Sequence, residues 1–567
     1  MTPNAAVREG SRTVNVAVHL EEMARCQPHQ PAIVWRTGRD RRGRAIYRHW
    51  TFEQLQQQSD RYAWGLLEAG VERGLRTILM VRPCPQLFAL VFALFKIGAV
   101  PVLIDPGMGR DRMVDCLRAV QAGAFIGLPL AHLLRITHPG AFGSVRVAVT
   151  VGRRWFWGGH SLEAFGARPW RPFPPAATDG DDPAAIIFTT GSTGPPKGVL
   201  YLHRIFDAQV RMLREHFGIA PGEIDLPTFP LFSLFDPALG MTAVIPEMDP
   251  TQPARVDPRR IIEALHDHQV TNMFGSPALL DRVSKYGAAH GIRLPSLRRV
   301  FSAGAPAPPA VLERFSRMLA GEAEIHTPYG ATEALPVASI GSREVLGETR
   351  FRSAGGAGTC VGRPLPGMEV RIIRLTDEPI DCWSEDLVLP PGQIGEIVVR
   401  GPTVTPEYCT DSRATRLAKI RHPAGDGRHT ATDALWHRMG DVGWMDAAGR
   451  IWFCGRKAHR VVTADGTLFT VPCEAIFNQH SAVRRSALVG VGRPPNQQPV
   501  ICIELEPEHR KTDRRSLTTE LLDLAHRHDL TRNITAVLFH PAFPVDIRHN
   551  AKIFREKLAV WAEGRLR

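Results

Sequence analysis

Thr189-Thr190-Gly191-Ser192-Thr193-Gly194-Pro195-Pro196-Lys197-Gly198-Val199 follows the apolar run Ala184-Ala185-Ile186-Ile187-Phe188. The apolar run reads as a buried strand. The glycines after it let the backbone turn tightly and come close to an anion. Hydroxyls and backbone N–H groups in the stretch can ring phosphate oxygens, as glycine-rich nests do, and Lys197 adds a point charge. A helical pattern at 201–217 follows, and its N-terminal partial charge would serve the same anion. A flexible surface loop is the plainer reading. A linker, however, has no need of a Ser/Thr/Gly cluster that ends in Pro-Pro-Lys-Gly behind a buried strand. The pattern is not a Walker loop, which carries Gly-Lys-Ser/Thr after four spacer residues.

The 567 residues suffice for two to four domains, and 44% hydrophobic against 22% charged residues allows a sizeable core. A net charge of +12 suits a polyanion such as ATP. Arginine is scattered rather than gathered into basic runs interleaved with aromatics, so nucleic acid is not an expected partner. The nine cysteines are dispersed, with no Cys-x-x-Cys pair, which argues against a zinc site or disulfide framework and for a reducing cytoplasm. Residues 1–12 contain no apolar h-region, so no signal peptide is expected. The longest apolar run, 87–104, is interrupted by Lys96 and Pro101. It reads as a buried helix over 85–97 entering a strand over 99–104, not as a membrane span.

Residues 1 to about 180 alternate between helix and strand. Thr51 is a plausible N-cap for a helix through Leu67, and 76–81 reads as a strand. Such alternation predicts a mostly parallel α/β sheet. The Pro-rich stretch 168–183 reads as a connector. Further on, 226–235 (Leu-Pro-Thr-Phe-Pro-Leu-Phe-Ser-Leu-Phe) is apolar and aromatic: either core or the wall of a pocket for an alkyl chain. Segments 272–277 and 299–306 read as strands followed by turns, 395–401 as a strand, and 446–456 as a hairpin-like turn leading into a strand.

These motifs, in this order, resemble the adenylate-forming superfamily of acyl-CoA synthetases, luciferases and peptide-synthetase adenylation domains. The stretch opening on Thr189 is similar to its signature loop. Tyr329-Gly330-Ala331-Thr332-Glu333 is similar to its Tyr-Gly-x-Thr-Glu, and Ser302-Ala303-Gly304-Ala305-Pro306 to its adenine-framing turn. The resemblance implies a large N-terminal domain of layered α/β subdomains (1–455) and a small mobile α+β C-terminal domain (456–567). It also implies ATP and Mg²⁺ as cofactors. Tyr329 would offer the adenine a flat face beside Gly304, Ala305 and Pro306, and Gly330 shapes the same turn. Thr189, Thr190, Gly191, Ser192, Thr193, Gly194 and Lys197 would hold phosphates, Thr332 would bind the α-phosphate, and Glu333 would be the metal ligand. Asp441, on a tight Gly-Asp turn, would accept from both ribose hydroxyls, and Arg456 would reach the ribose. Lys552 would bridge substrate carboxylate and α-phosphate.

The chain departs from the family at three places. Ser233 stands where relatives carry His near the acyl pocket. Ala458 replaces the charged hinge residue, and Val462 stands where thioester-forming relatives tend to carry Lys. The terminal loop, Asp546-Ile547-Arg548-His549-Asn550-Ala551-Lys552, resembles that of the β-lactone synthetases of bacterial long-chain olefin biosynthesis. That resemblance implies a long-chain β-hydroxy acid as substrate, and other enzymes of the olefin pathway as partners. In such an acid the hydroxyl is tethered to the carbonyl, so effective molarity favours attack within the acyl-adenylate. An acyl-CoA or acyl-carrier ligase, and a non-catalytic nucleotide-binding protein, remain open alternatives on sequence alone. Intact Lys197, Glu333, Asp441 and Lys552 argue against the latter.

Overall fold

The structure is a computed structural model, described here for residues 14–188, 196–422, 435–545 and 553–566. Its first sheet has seven strands in the order His160–Ser161, Val147–Thr150, Ala124–Gly127, Arg76–Met80, Val100–Leu103, Pro183–Phe188, Gly198–Leu202. Every neighbouring pair is parallel except the last. Parallel strands need crossovers, and the helix Pro85–Ile97 supplies one. It is buried on nearly every side, which is why its sequence is apolar all round. Its one charge, Lys96, is paired with Asp60 at 2.5 Å and Ser59 at 2.7 Å on the helix Phe52–Glu68. That helix begins with a capping box made by Thr51 and Gln54. Among the described residues no helix is long and apolar enough to cross a membrane.

The second sheet has fourteen described strands and two halves. In the parallel half, Pro31–Arg39, Thr242–Ile245, Ile224–Pro227, Asn272–Phe274, Arg299–Phe301 and Glu324–Ala331 lie side by side. The antiparallel half runs through Ala334–Gly341, Thr359–Pro364, Ile451–Arg456, Leu435–Met445, Gly395–Arg400 and Glu369–Ile373. Direction reverses at the turn Thr332-Glu333, between Glu324–Ala331 and Ala334–Gly341.

Past Arg456 the chain builds a smaller α+β unit. A three-stranded sheet, Val483–Val491, Gln498–Leu505 and Ala536–Phe539, packs with the helices Thr470–Phe477, Arg514–His526 and Arg555–Leu566. Leu488, Ile501, Leu517 and Leu521 form its own apolar core. The fold class is therefore the one the sequence predicts.

One local expectation is overturned. The helix after the phosphate loop is His203–Phe217, and Gly198–Leu202 before it is a strand that pairs back onto Pro183–Phe188. The apolar Val199-Leu200-Tyr201-Leu202 prefers a pleated, buried edge to a helical first turn. Five strand residues, roughly 16 Å of chain, thus separate loop and helix, and the helix dipole fades within one turn.

Candidate active site

The phosphate-loop residues Thr189, Thr190, Gly191, Ser192, Thr193 and Gly194 lie outside the described residues, as does Lys552. Both ends of the loop are anchored. Phe188 pairs with Gly198, and Val199 bridges to Tyr408. The Gly198 N–H donates to Thr410 Oγ1 at 3.0 Å, and its carbonyl accepts from the Cys409 N–H at 2.9 Å. A Cβ on Gly198 would stand 3.1 Å from Ile186 and 3.2 Å from Cys409. Lys197 Nζ lies 5.0 Å from the centre of the Tyr408 ring.

Tyr408 connects this corner to the metal-ligand candidate. Its hydroxyl donates to Glu333 Oε1 at 2.7 Å. Thr332 and Glu333 are the two tip residues of the hairpin, and their backbone is fixed from outside. The Thr332 carbonyl accepts from the Tyr201 hydroxyl at 2.6 Å. The Glu333 carbonyl accepts from the Thr405 N–H at 2.9 Å and hydroxyl at 3.0 Å. Gly330 is required by close approach, because a Cβ there would stand 2.6 Å from the Ala334 carbonyl oxygen. Among the described residues the second Glu333 oxygen has no hydrogen-bond partner, so a hard cation could take it.

Below the hairpin lies a buried cation. Lys419 donates to the Thr405 carbonyl. Burial pulls its ammonium down to about 7, against the attraction of Glu333. Burial, then the charges of Lys419 and Lys197, hold the nearby His437 neutral.

On the nucleoside side, the Tyr329 hydroxyl donates to Asp441 Oδ2 at 2.6 Å, and Arg456 Nη1 lies 2.8 Å from Asp441 Oδ1. Asp441 and Arg456 are register partners on adjacent antiparallel strands, which is how residues far apart in sequence meet. The expected tight turn at Asp441 is not seen. The residue sits within the eleven-residue strand Leu435–Met445, and the bend is supplied by Gly440 at φ 65°. Burial raises the Asp441 carboxyl, while Arg456 and the Tyr329 hydrogen bond oppose the rise. The turn Gly304-Ala305-Pro306, with Gly304 at φ 92°, follows the strand Arg299–Phe301. That strand is the parallel neighbour of the one carrying Tyr329, so turn and ring share the carboxyl edge of the sheet. This edge is where open α/β sheets bind ligands.

Lys197, Thr332, Glu333, Tyr329, Asp441 and Arg456 therefore belong to one continuous set of contacts. Sequence reasoning missed Tyr408, Thr405, Lys419 and Tyr201. Only Tyr201 belongs to the apolar strand next to a motif; Thr405 and Tyr408 come from an irregular stretch, and Lys419 opens the three-residue strand Lys419–Arg421, too short to show a pattern.

An apolar cavity of about 100 Å³, opening onto solvent, lies beside the hairpin. Phe217, Phe232, Phe235, Phe274 and Leu335 line it. The 226–235 segment thus supplies both core and pocket wall. Ser233 is buried, bonded to the Pro230 carbonyl and off the pocket surface.

Comparison with known proteins adds to this geometry. The family described as AMP-binding enzyme matches residues 20–409. The chain is 50% identical to the Olefin beta-lactone synthetase of Xanthomonas campestris pv. campestris, over 97% of each chain. It is 49% identical to the Olefin beta-lactone synthetase of Stenotrophomonas maltophilia, over 98% of this chain and 99% of that one. Among solved structures, the amide bond synthetase McbA from Marinactinospora thermotolerans superposes with a TM-score of 0.75 at 23% identity, covering 96% of this chain and 99% of the other. ATP-bound MatB from Rhodopseudomonas palustris gives 0.75 at 18% identity, covering 98% and 100%. At such identities these two speak for the fold alone.

Proposed function

The chain belongs to the AMP-binding enzyme family, and from that premise we propose that it adenylates a β-hydroxy acid and closes the acyl-adenylate to a β-lactone. It is an AMP-forming ligase that uses ATP. The observation that carries the reading is the agreement with the two olefin β-lactone synthetases over nearly the whole chain. A carboxylate is a poor electrophile. Attack of its oxygen on the α-phosphorus of ATP gives an acyl-adenylate and pyrophosphate. The β-hydroxyl oxygen then attacks the carbonyl carbon, the bond to AMP breaks, and the hydroxyl proton is lost. Ring strain opposes closure, whereas tethering and the AMP leaving group favour it.

The residues take the following roles in this reading. Lys197 and the loop 189–194 hold the β- and γ-phosphates, and Thr332 holds the α-phosphate. Glu333, with one oxygen claimed by Tyr408 and the other available, holds Mg²⁺, which neutralises phosphate charge when bound. Tyr329 and Gly304-Ala305-Pro306 frame the adenine, and Asp441 with Arg456 takes the ribose. Lys552 stabilises charge developing at the α-phosphate, carried there by movement of 456–567 relative to 1–455. The phenylalanine-rich cavity suits a long-chain 2-alkyl-3-hydroxy acid. All nine cysteines are free thiols, which agrees with a reducing cytoplasm. Other enzymes of the olefin pathway would supply the acid and take up the lactone.

The thiol side of the family supports this choice over thioester formation. Val462 sits in the short hairpin Val461–Thr463/Gly466–Leu468 and is clamped on both sides by Gln497, at 3.0 Å each. No lysine stands there to meet a pantetheine acceptor. The test is AMP formation from matched acids with and without a 3-hydroxyl, each with and without CoA. The hydroxy acid should turn over without CoA, and the other should stall as bound acyl-adenylate. Turnover of the non-hydroxylated acid that rises with CoA would overturn the lactone reading and make the chain an acyl-CoA ligase.

A further inference from the structure

Four polar side chains line the apolar pocket and take no part in the roles above: Gln209, Asp225, Asp236 and Asn272. Asp225 lies on the strand Ile224–Pro227, Asp236 opens the short helix Asp236–Leu239, and Gln209 comes from His203–Phe217. They are 3%, 6% and 2% exposed for Gln209, Asp225 and Asp236 respectively. The Gln209 amide nitrogen donates to the Leu335 carbonyl at 2.6 Å, two residues beyond Glu333, while its Oε1 is buried with no donor. Asp236 Oδ2 is likewise buried with no donor. Nearby groups are committed elsewhere. Asn272 donates to Glu223 at 2.6 Å, and Arg299 pairs with the same carboxylate at 2.6 Å.

The two aspartates face each other within hydrogen-bond reach. Burial drives both carboxyls upward; the neighbouring carboxyl adds to the rise at Asp236 and opposes it at Asp225, so the pair holds a shared proton near neutral pH. Leaving buried acceptors without donors is costly, and a closely packed apolar wall could have avoided it. Gln209 Oε1 can only accept, and Asp236 Oδ2 accepts whenever the shared proton lies on another oxygen of the pair. The missing ligand group is therefore a donor, and in an apolar acyl pocket the donor of matching chemistry is an alcohol.

We propose that Asp236, backed by Asp225 and flanked by Gln209, forms a hydroxyl-recognising subsite in the acyl pocket. It accepts a hydrogen bond from the substrate's own hydroxyl and selects hydroxy acids over their deoxy analogues before lactone closure. The subsite rests on the β-hydroxy-acid reading and deepens it. Gln209 links the subsite to Leu335, and so to the hairpin tip where the carboxylate is activated. A hydroxyl held there is fixed relative to the carbonyl it attacks. A site built to bond a hydroxyl penalises its absence far more than an apolar pocket does, because its acceptors are left dry.

The test compares ATP–pyrophosphate exchange, which reports adenylation alone, for a 3-hydroxy acid and its 3-deoxy analogue. The readout is the ratio of the two kcat/KM values in wild type, Asp236→Leu and Gln209→Leu. Wild type should favour the hydroxy acid roughly 10- to 100-fold, and Asp236→Leu should bring the ratio towards one. Gln209→Leu should lower it several-fold. A merely structural role would scale both acids alike and leave the ratio unmoved, which overturns the proposal, as does a wild type that does not discriminate. If Asp236→Leu is inactive on both acids, Gln209→Leu decides. Product analysis by NMR separates the two readings. A lactone product without discrimination removes the subsite alone, and discrimination with a thioester product removes the lactone reading alone.

Discussion

Replacing Lys419 with Met removes a charge from beneath the hairpin that carries Thr332 and Glu333 without emptying the space. The lysine is 8% exposed, its ammonium donates to the Thr405 carbonyl, and burial pulls its ionisation down to about 7. An unfolded lysine ionises near 10.4. The folded value lies below the unfolded one, so between them the unfolded chain binds more protons. Stability therefore rises with pH from about 7 to about 10, and below that window the buried charge is a full cost. Relative to the alkaline limit, Lys419 costs about 4 kcal/mol at pH 7 and about 2 kcal/mol at pH 9. Wild type should thus gain about 2 kcal/mol over those two units from this residue, and Lys419→Met should not. Urea unfolding of both proteins at both pH values gives a difference of differences in which titrations not coupled to Lys419 cancel, and the coupled His437 ionises below this window. The bond to Thr405 needs no separate correction, because its change as the ammonium loses its proton is already contained in the lowered pKa. A stability gap between the proteins that stays constant to within about 0.5 kcal/mol would refute the reasoning and mean that water reaches the ammonium.

Tyr408→Phe removes a 2.7 Å hydrogen bond to the Glu333 carboxylate. Adenylation kcat/KM should fall roughly 10- to 100-fold, measured as pyrophosphate release, and an unchanged rate would detach Tyr408 from the site. Tyr329→Phe strips a donor at 2.6 Å from the buried Asp441, so KM for ATP should rise roughly 5- to 30-fold. Lys552→Ala should lower kcat for adenylation while nucleotide affinity, by titration calorimetry, changes little. A main defect in ATP binding would reassign Lys552. Val462→Lys should not by itself yield a thioesterase-sensitive product, because Gln497 holds both backbone groups of that residue.

Much of the frame is legible in the sequence because it is local. The capping box at Thr51, the buried helix after Pro85 and the parallel alternation before residue 180 each follow from short-range pattern and reappear in the structure. Thr332 and Glu333 are legible as a motif, but their support is not. Tyr201, Thr405 and Tyr408 reach them from strands and loops far away in the chain, and periodicity carries no record of such pairings. The strand at Gly198–Leu202 was read as the prelude to a helix because its partner, Pro183–Phe188, is joined to it only through tertiary pairing. Asp225 and Asp236 look like ordinary turn and cap residues in sequence. Only the pocket brings them face to face.

The strand Leu435–Met445 and its partner Ile451–Arg456 also bear on where this chain can be cut. Arg456 sits against Asp441, and Lys457 reaches Glu396 at 3.1 Å and the Thr376 carbonyl at 2.8 Å. Glu396 is 1% exposed and is shared by that lysine and Arg438. Arg460 pairs with Asp377, while His459 between them binds Glu556 on the last helix at 3.0 Å. A fragment ending at residue 455 would leave the buried Asp441 without its cation and Glu396 with Arg438 alone, and should express poorly. One ending after Arg460 keeps both pairs. Chimeras that exchange the small unit between relatives should therefore be joined beyond Arg460, with the residues at 459 and 556 matched across the junction.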